Sequence, residues 1–104
     1  MERESFIDIE PEVRIRYRRS EPPPPLRYAI VLEVLVAGRW TAVRLWDNAH
    51  AVDEHHEHGY TLRAGKQPPT ALAFRSVNEA MAAAIRRART DWRELVRQWE
   101  ASND

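Results

Sequence analysis

The side chains with the most chemical reach lie between Asp47 and Tyr60. His50, His55, His56 and His58 are the four histidines of the 104-residue chain, and Asp47, Asp53, Glu54 and Glu57 are interleaved with them. No Lys or Arg falls between Asp47 and His58. Carboxylates crowded against imidazoles favour the protonated ring and bring its titration towards neutral pH, where one group can take a proton and another return it. The same residue types ligate metals. Two or three imidazoles with a carboxylate suit zinc, iron or manganese and leave a position for water. A polar, solvated hairpin loop is the third reading. The sequence leaves all three open, and a divalent metal is the one cofactor any of them involves.

Spacing assigns roles. His56, His58 and Tyr60 alternate, so on a strand they share one face, while His55 and Glu57 point to the other. The connection from Asp47 is short, which returns Asp47 and His50 to the same end of the sheet. His56 and His58 are the candidate acid/base pair, His50 and Asp47 the orienting or assisting groups, and Tyr60 a hydrogen-bond donor to phosphate. His50, His56 and His58 are also the candidate metal ligands. Arg44 should share a face with Trp46 and is a candidate phosphate clamp on the preceding strand.

These residues need elements to hold them. Glu12 to Arg18 alternates Val13, Ile15 and Tyr17 with Arg14, Arg16 and Arg18, the period-two pattern of a half-buried edge strand. Pro22 to Pro25 form a stiff spacer. Leu26 to Val36 is apolar and β-branched apart from Glu33, as expected of a central strand covered on both sides. Ala37-Gly38-Arg39 supplies a turn, and Trp40 to Trp46 the return strand, with Val43 and Leu45 on one face and Trp40, Ala42 and Trp46 on the other. Residues 56–62 make a third strand, and Ala64 to Thr70 reads as a loop.

Ser76-Val77-Asn78-Glu79 fits a capping box ahead of a long amphipathic helix. Val77, Met81, Ile85, Ala88, Trp92, Leu95, Val96 and Trp99 form its apolar stripe, which runs to about Ala101, roughly 37 Å in length. Trp92 and Trp99 are expected core anchors, so Trp92→Ala should cost about 3–5 kcal/mol. Arg86, Arg89, Arg93 and Arg97 line another stripe, from which Arg93 is the candidate contact to phosphate or to an acidic partner.

The fold expected is therefore α+β: three to four antiparallel strands packed against one long C-terminal helix. Residues 1–25 form an N-terminal arm with an edge strand and a Pro-rich spacer, and residues 26–104 a single domain. Sixteen basic residues balance sixteen acidic ones, so no whole-molecule field draws nucleic acid or membrane. Fifteen of the sixteen cations are Arg, Lys66 being the exception. Cysteine is absent, which removes disulfides, thiol nucleophiles and Cys-based zinc sites. No apolar run is long enough for a membrane span. Three glycines leave no phosphate-binding glycine loop. A cytoplasmic location is the expectation.

The Asp47-Asn48-Ala49-His50 segment followed by His55-His56-Glu57-His58 resembles the TumE-type toxins of toxin–antitoxin pairs. Asp47, Asn48, His50, His55, His56 and His58 fall on matching letters, over residues 47–58. A proline between Ala and His is missing here, and the spacer between the two segments is shorter. The resemblance implies a growth-arresting protein that acts on RNA, a ribonuclease reading, neutralised by an antitoxin protein. It adds Asn48 to the substrate-binding candidates. The rival reading is a non-catalytic interaction module, of antitoxin or accessory kind, that binds a protein or a copy of itself through the N-terminal arm or the helix. A small His/carboxylate metal-binding protein is a further alternative.

Overall fold

The computed structural model describes residues 2–51 and 53–102, with the side chain of His50 outside what it describes. Seven strands form one antiparallel sheet: β1 (Glu2–Glu10), β2 (Val13–Ser20), β3 (Tyr28–Val36), β4 (Arg39–Ala51), β5 (Glu54–Thr61), β6 (Gly65–Lys66) and β7 (Thr70–Leu72). One helix follows, α1 (Val77–Glu100). The strand order is β1-β2-β3-β4-β5-β6, with β7 also paired to β5. The α+β class stands as expected, but the sheet is nearly twice as wide as three to four strands.

The extra strands arise at both ends. Residues 2–10, an acidic segment by composition, place Ile7 opposite Ile15 and so extend the sheet beyond β2. β2 is therefore one strand in from the edge, paired on its other side with β3. The prolines of residues 22–25 span the link between these two paired strands, so the segments before and after them belong to one sheet. At the far side, β6 and β7 are two and three residues long. Backbone pairing to β5 makes them strands, without any side-chain period.

β3 is the centre. Ile30 and Leu32 are fully buried on the face that α1 covers, while Val31 and Glu33 are buried on the other. Ala37 and Gly38 both have positive φ (50° and 78°), the requirement of a two-residue hairpin turn that matches strand twist. In β4 the register slips at Val43, which is the extra residue between the Leu32–Arg44 and Glu33–Ala42 pairs. Parity therefore changes along the strand. Trp40 and Ala42 lie on the open face with Leu45, whereas Val43, Arg44 and Trp46 lie on the helix face.

α1 is capped as expected, the Glu79 backbone N–H donating to Ser76 Oγ at 3.1 Å. Its most buried residues are Ala80, Ala84, Ala88 and Leu95. Small side chains at i, i+4 and i+8 bring the helix axis close to the sheet. Trp92 and Trp99 consequently sit at the margin, half-buried, and the large aromatic anchor is Trp46 at 2% exposure. The cost expected of Trp92→Ala is too high for a side chain in that position.

Among the described residues, no helix lies over the other face. Glu2 of β1 and Lys66 of β6 nevertheless line one cavity of about 310 Å³ together with Ala29, Leu45 and Asp47 from the middle of the sheet. A flat sheet of six strands would hold its margins roughly 24 Å apart. The sheet is therefore curled, concave on its open face.

Candidate functional site

The site is built by two adjacent strands. Asp47 on β4 is paired with His56 on β5, and Leu45 with His58. Period two carries His56, His58 and Tyr60 onto the concave face, where Asp47 meets them. Asp47 and His58 are 6% and 5% exposed, and His56 is half-buried. One ligand atom from each of Asp47, His56 and His58 lies within 4.8 Å of the others. The two imidazole rings stand nearly perpendicular, with centroids 6.2 Å apart.

The surroundings orient the donors. His58 Nδ1 is 2.9 Å from the Gln67 carbonyl oxygen. A carbonyl only accepts, so Nδ1 carries the proton and the lone pair of the neutral ring is at Nε2. Nε2 is 3.7 Å from Asp47 Oδ1, outside hydrogen-bond range. Asp47 Oδ1 is buried and has no hydrogen-bond partner among the described residues. Burial pushes the Tyr60 hydroxyl above its ordinary range, and the Asp47 carboxylate acts in the same direction against the opposing charge of Arg16. Tyr60 is therefore a protonated donor at neutral pH, within electrostatic reach of Asp47.

Cations border the same face. Arg14, Arg16 and Arg18 project onto it from β2, opposite Glu33, Val31 and Ala29 of β3. Arg14 and Arg16 clasp Glu33 at 2.8 and 3.1 Å. The Arg14 guanidinium also lies 4.4 Å from the Phe6 ring and 4.0 Å from the Trp40 ring. Arg18, Arg27 and Lys66 line the cavity that has Asp47 as one wall.

Several sequence candidates lie elsewhere. Arg44 shares a face with Trp46, as its spacing predicts, but that is the helix face, opposite the one on which Asp47 meets His56. It donates to Glu57 at 3.0 Å and to Gln98 of α1 at 3.1 Å. It packs over Gly59, where a β-carbon would meet its Nη1 at 3.6 Å. Asn48 is fully buried and holds the chain entering β3, accepting from the Tyr28 N–H at 2.8 Å and donating to the Leu26 carbonyl at 2.9 Å. Arg93 is on α1, across the sheet from the imidazoles, with its guanidinium 4.5 Å over the Trp92 ring. None of these three joins the cluster. The backbone of His50 belongs to β4, and the role expected of its side chain lies outside the described residues.

His55 has the opposite parity to His56 and is a core residue. It is 3% exposed, with its Nδ1 2.8 Å from the Tyr28 hydroxyl and its ring against Phe74. Glu57, also on the helix face, accepts from Trp46 Nε1 at 2.8 Å and pairs with Arg44 and Arg87. Sequence reasoning missed two participants. Gln67 acts through its backbone, which no residue type announces. Lys66 reaches the cavity through β6, although its being the sole lysine was a visible signal.

Fold and site together define a curled antiparallel sheet, backed by one helix, that holds a two-histidine, one-carboxylate cluster on its open face, with Asp47 and His58 buried and His56 half-buried. The chain belongs to the family described as a domain of unknown function, DUF7718, whose model matches residues 1–104. Neither the curated proteins nor the solved structures gave a match to it. Among the described residues, no helix is long and apolar enough to cross a membrane.

Proposed function

We propose that this protein cleaves RNA at the concave face of its sheet, with Asp47, His56 and His58 as the reaction centre. The observation that supports this reading is the meeting of two imidazoles and a buried carboxylate beside the cavity lined by Arg18 and Lys66. Cleavage of a phosphodiester needs a group that accepts the proton of the attacking hydroxyl and one that returns a proton to the leaving oxygen. In the reaction the 2′ oxygen bonds to phosphorus, its proton passes to the centre, and the bond from phosphorus to the 5′ oxygen breaks as that oxygen is protonated. Tyr60 donates a hydrogen bond to a non-bridging phosphate oxygen. Arg18 and Lys66 hold neighbouring phosphates.

With the TumE-type resemblance this activity makes the protein a growth-arresting toxin of the cytoplasm, held in check by an antitoxin protein. The outer edge of β1 is the surface for that partner or for a second copy, since an edge strand presents unpaired backbone groups.

The test is induction of the wild type and of His56→Ala/His58→Ala in a bacterial culture, with soluble expression of both confirmed and total RNA displayed. Growth arrest with RNA fragments from the wild type alone supports the reading. Equal arrest by both proteins moves the activity away from the cluster. No arrest from soluble wild type replaces catalysis with the interaction-module reading.

A further inference from the structure

We infer that Asp47, His56 and His58 bind one first-row divalent cation of the zinc class. The inference rests on the cleavage reading for its substrate only; the site itself is argued from the geometry of its donors. Three features carry it.

The donor atoms converge. Two imidazole nitrogens and a carboxylate oxygen lie within 4.8 Å of one another, on adjacent strands whose pairing fixes their separation. This donor set is borderline in softness, which suits zinc, iron or manganese over calcium or magnesium. Three protein ligands leave at least one position for water or a substrate oxygen.

The carboxylate lacks what a buried carboxylate requires. Asp47 Oδ1 has no hydrogen-bond donor among the described residues, although the side chain is 9% exposed. An isolated buried negative charge is costly, so such groups are paired or coordinate metals. The nearest basic nitrogen, His58 Nε2, stands off at 3.7 Å. That spacing is too long for a hydrogen bond and slightly longer than the roughly 3.0–3.5 Å between ligand atoms around an ion with bonds of about 2.0–2.1 Å. A cation would close the gap with a small inward shift.

The outer contacts have the form that metal-ligating histidine needs. His58 gives its Nδ1–H to the Gln67 carbonyl, which fixes the tautomer and turns Nε2 towards Asp47. Gln67 is itself tied back, its N–H donating to the Gly59 carbonyl at 2.9 Å. Its side-chain amide also donates to the Gly65 carbonyl at 2.9 Å. The ring is thus held from behind by the residue that follows β6. In the cleavage reaction the cation would bind the attacking hydroxyl and ease loss of its proton to water; with both histidines held as ligands, water would also supply the proton to the leaving 5′ oxygen.

The test uses the full chain, stripped with a chelator and titrated with Zn²⁺, Mn²⁺ and Mg²⁺ by calorimetry, with thermal unfolding followed in parallel. One equivalent of Zn²⁺ is expected to bind and to raise the melting temperature, with Mg²⁺ much weaker. Asp47→Asn and His58→Gln, both close in shape to the parent, should each lose about 100-fold or more in Zn²⁺ affinity while circular dichroism shows the fold retained. His55→Gln is the control on the opposite face and should keep the affinity. Absence of stoichiometric binding, or unchanged affinity in the Asp47 and His58 variants, overturns the site. RNA cleavage is assayed separately. Zn²⁺ binding without cleavage refutes the cleavage reading and leaves the metal site standing. Cleavage by chelator-stripped protein, with no Zn²⁺ binding, does the reverse.

Discussion

The Tyr28 hydroxyl and His55 Nδ1 lie 2.8 Å apart, sealed between the sheet and α1 with the two rings stacked at 5.8 Å. One residue further along β5, His56 faces the opposite way, onto the concave surface. Adjacent histidines thus serve different ends, and the alternation of a strand is what separates them. His55→Ala should lower stability by about 2–4 kcal/mol, through lost packing and an orphaned buried hydroxyl. His56→Ala should stay within about 1 kcal/mol of wild type. Urea denaturation of both variants measures this, and equal losses would show that parity does not divide their roles.

Glu57 gathers Trp46, Arg44 and Arg87 around one carboxylate that is 12% exposed. Arg87 belongs to α1, and Arg44 reaches Gln98 on the same helix, so this group ties helix to sheet. Glu57→Ala removes the acceptor of the Trp46 indole N–H and one of two partners from each guanidinium, Arg44 keeping Gln98 and Arg87 keeping Asp91, and should cost about 1–3 kcal/mol. The accompanying sign is faster amide exchange in α1. Unchanged exchange there would show that the alanine packing alone holds the helix.

Glu33 is the single charge in the central strand and is clasped by Arg14 and Arg16. Glu33→Ala should destabilise by about 2–3 kcal/mol, less than for a fully buried pair because both arginines keep some contact with water. Glu33→Ala/Arg16→Ala should recover part of that loss. A double-mutant cycle with no coupling would contradict the clasp.

Ala37 adopts φ 50° in the β3–β4 turn, a region that costs a residue with a β-carbon about 1 kcal/mol. Ala37→Asn places a residue that tolerates this conformation and should stabilise the fold by about 0.5–1 kcal/mol. Thermal denaturation reads the effect. A lower melting temperature would refute the turn geometry.

Burial, reinforced by the charge of Asp47, pushes the Tyr28 hydroxyl up to about 12. An unfolded tyrosine ionises near pH 10. Between these values the folded state keeps a proton that the unfolded state has lost. The stabilisation is complete below pH 10 and is lost as pH rises towards 12. Tyr60 is shifted in the same direction, so Tyr28→Phe should flatten this alkaline decline without abolishing it. Denaturation midpoints across the window check this. An unchanged slope in Tyr28→Phe would place the titration elsewhere.

How much was legible depended on whether a residue's own pattern or its neighbours decided the outcome. The alternation of β2, the apolar run of β3, the Ala37-Gly38 turn and the Ser76 cap are local signals, and each element formed where its signal lies. β1 was obscured because its acidic residues dominate its composition, while Ile7 and Ile9 need β2 to become a packed face. β6 and β7 carry no period and exist through pairing with β5 alone. Spacing alone puts Arg44 and Trp46 on one face, but pairing with β3 and β5 decides that this is the face α1 covers. The extra residue at Val43 instead turns Trp40 and Ala42 away from Trp46, and no local pattern marks a bulge.

The sequence by itself determined that His56, His58 and Tyr60 share a face and that His55 does not, because side-chain direction on a strand follows from residue number. It determined the helix start as well, because capping is a contact between neighbours in the chain. Only the tertiary structure decided that Asp47 stands opposite His56, that Gln67 holds His58 from behind, and that the cluster lies in a concave surface away from α1. Those relations depend on register between strands and on the curl of the sheet. Each is set by backbone pairing over the whole domain, and residue identity at any one position does not encode it.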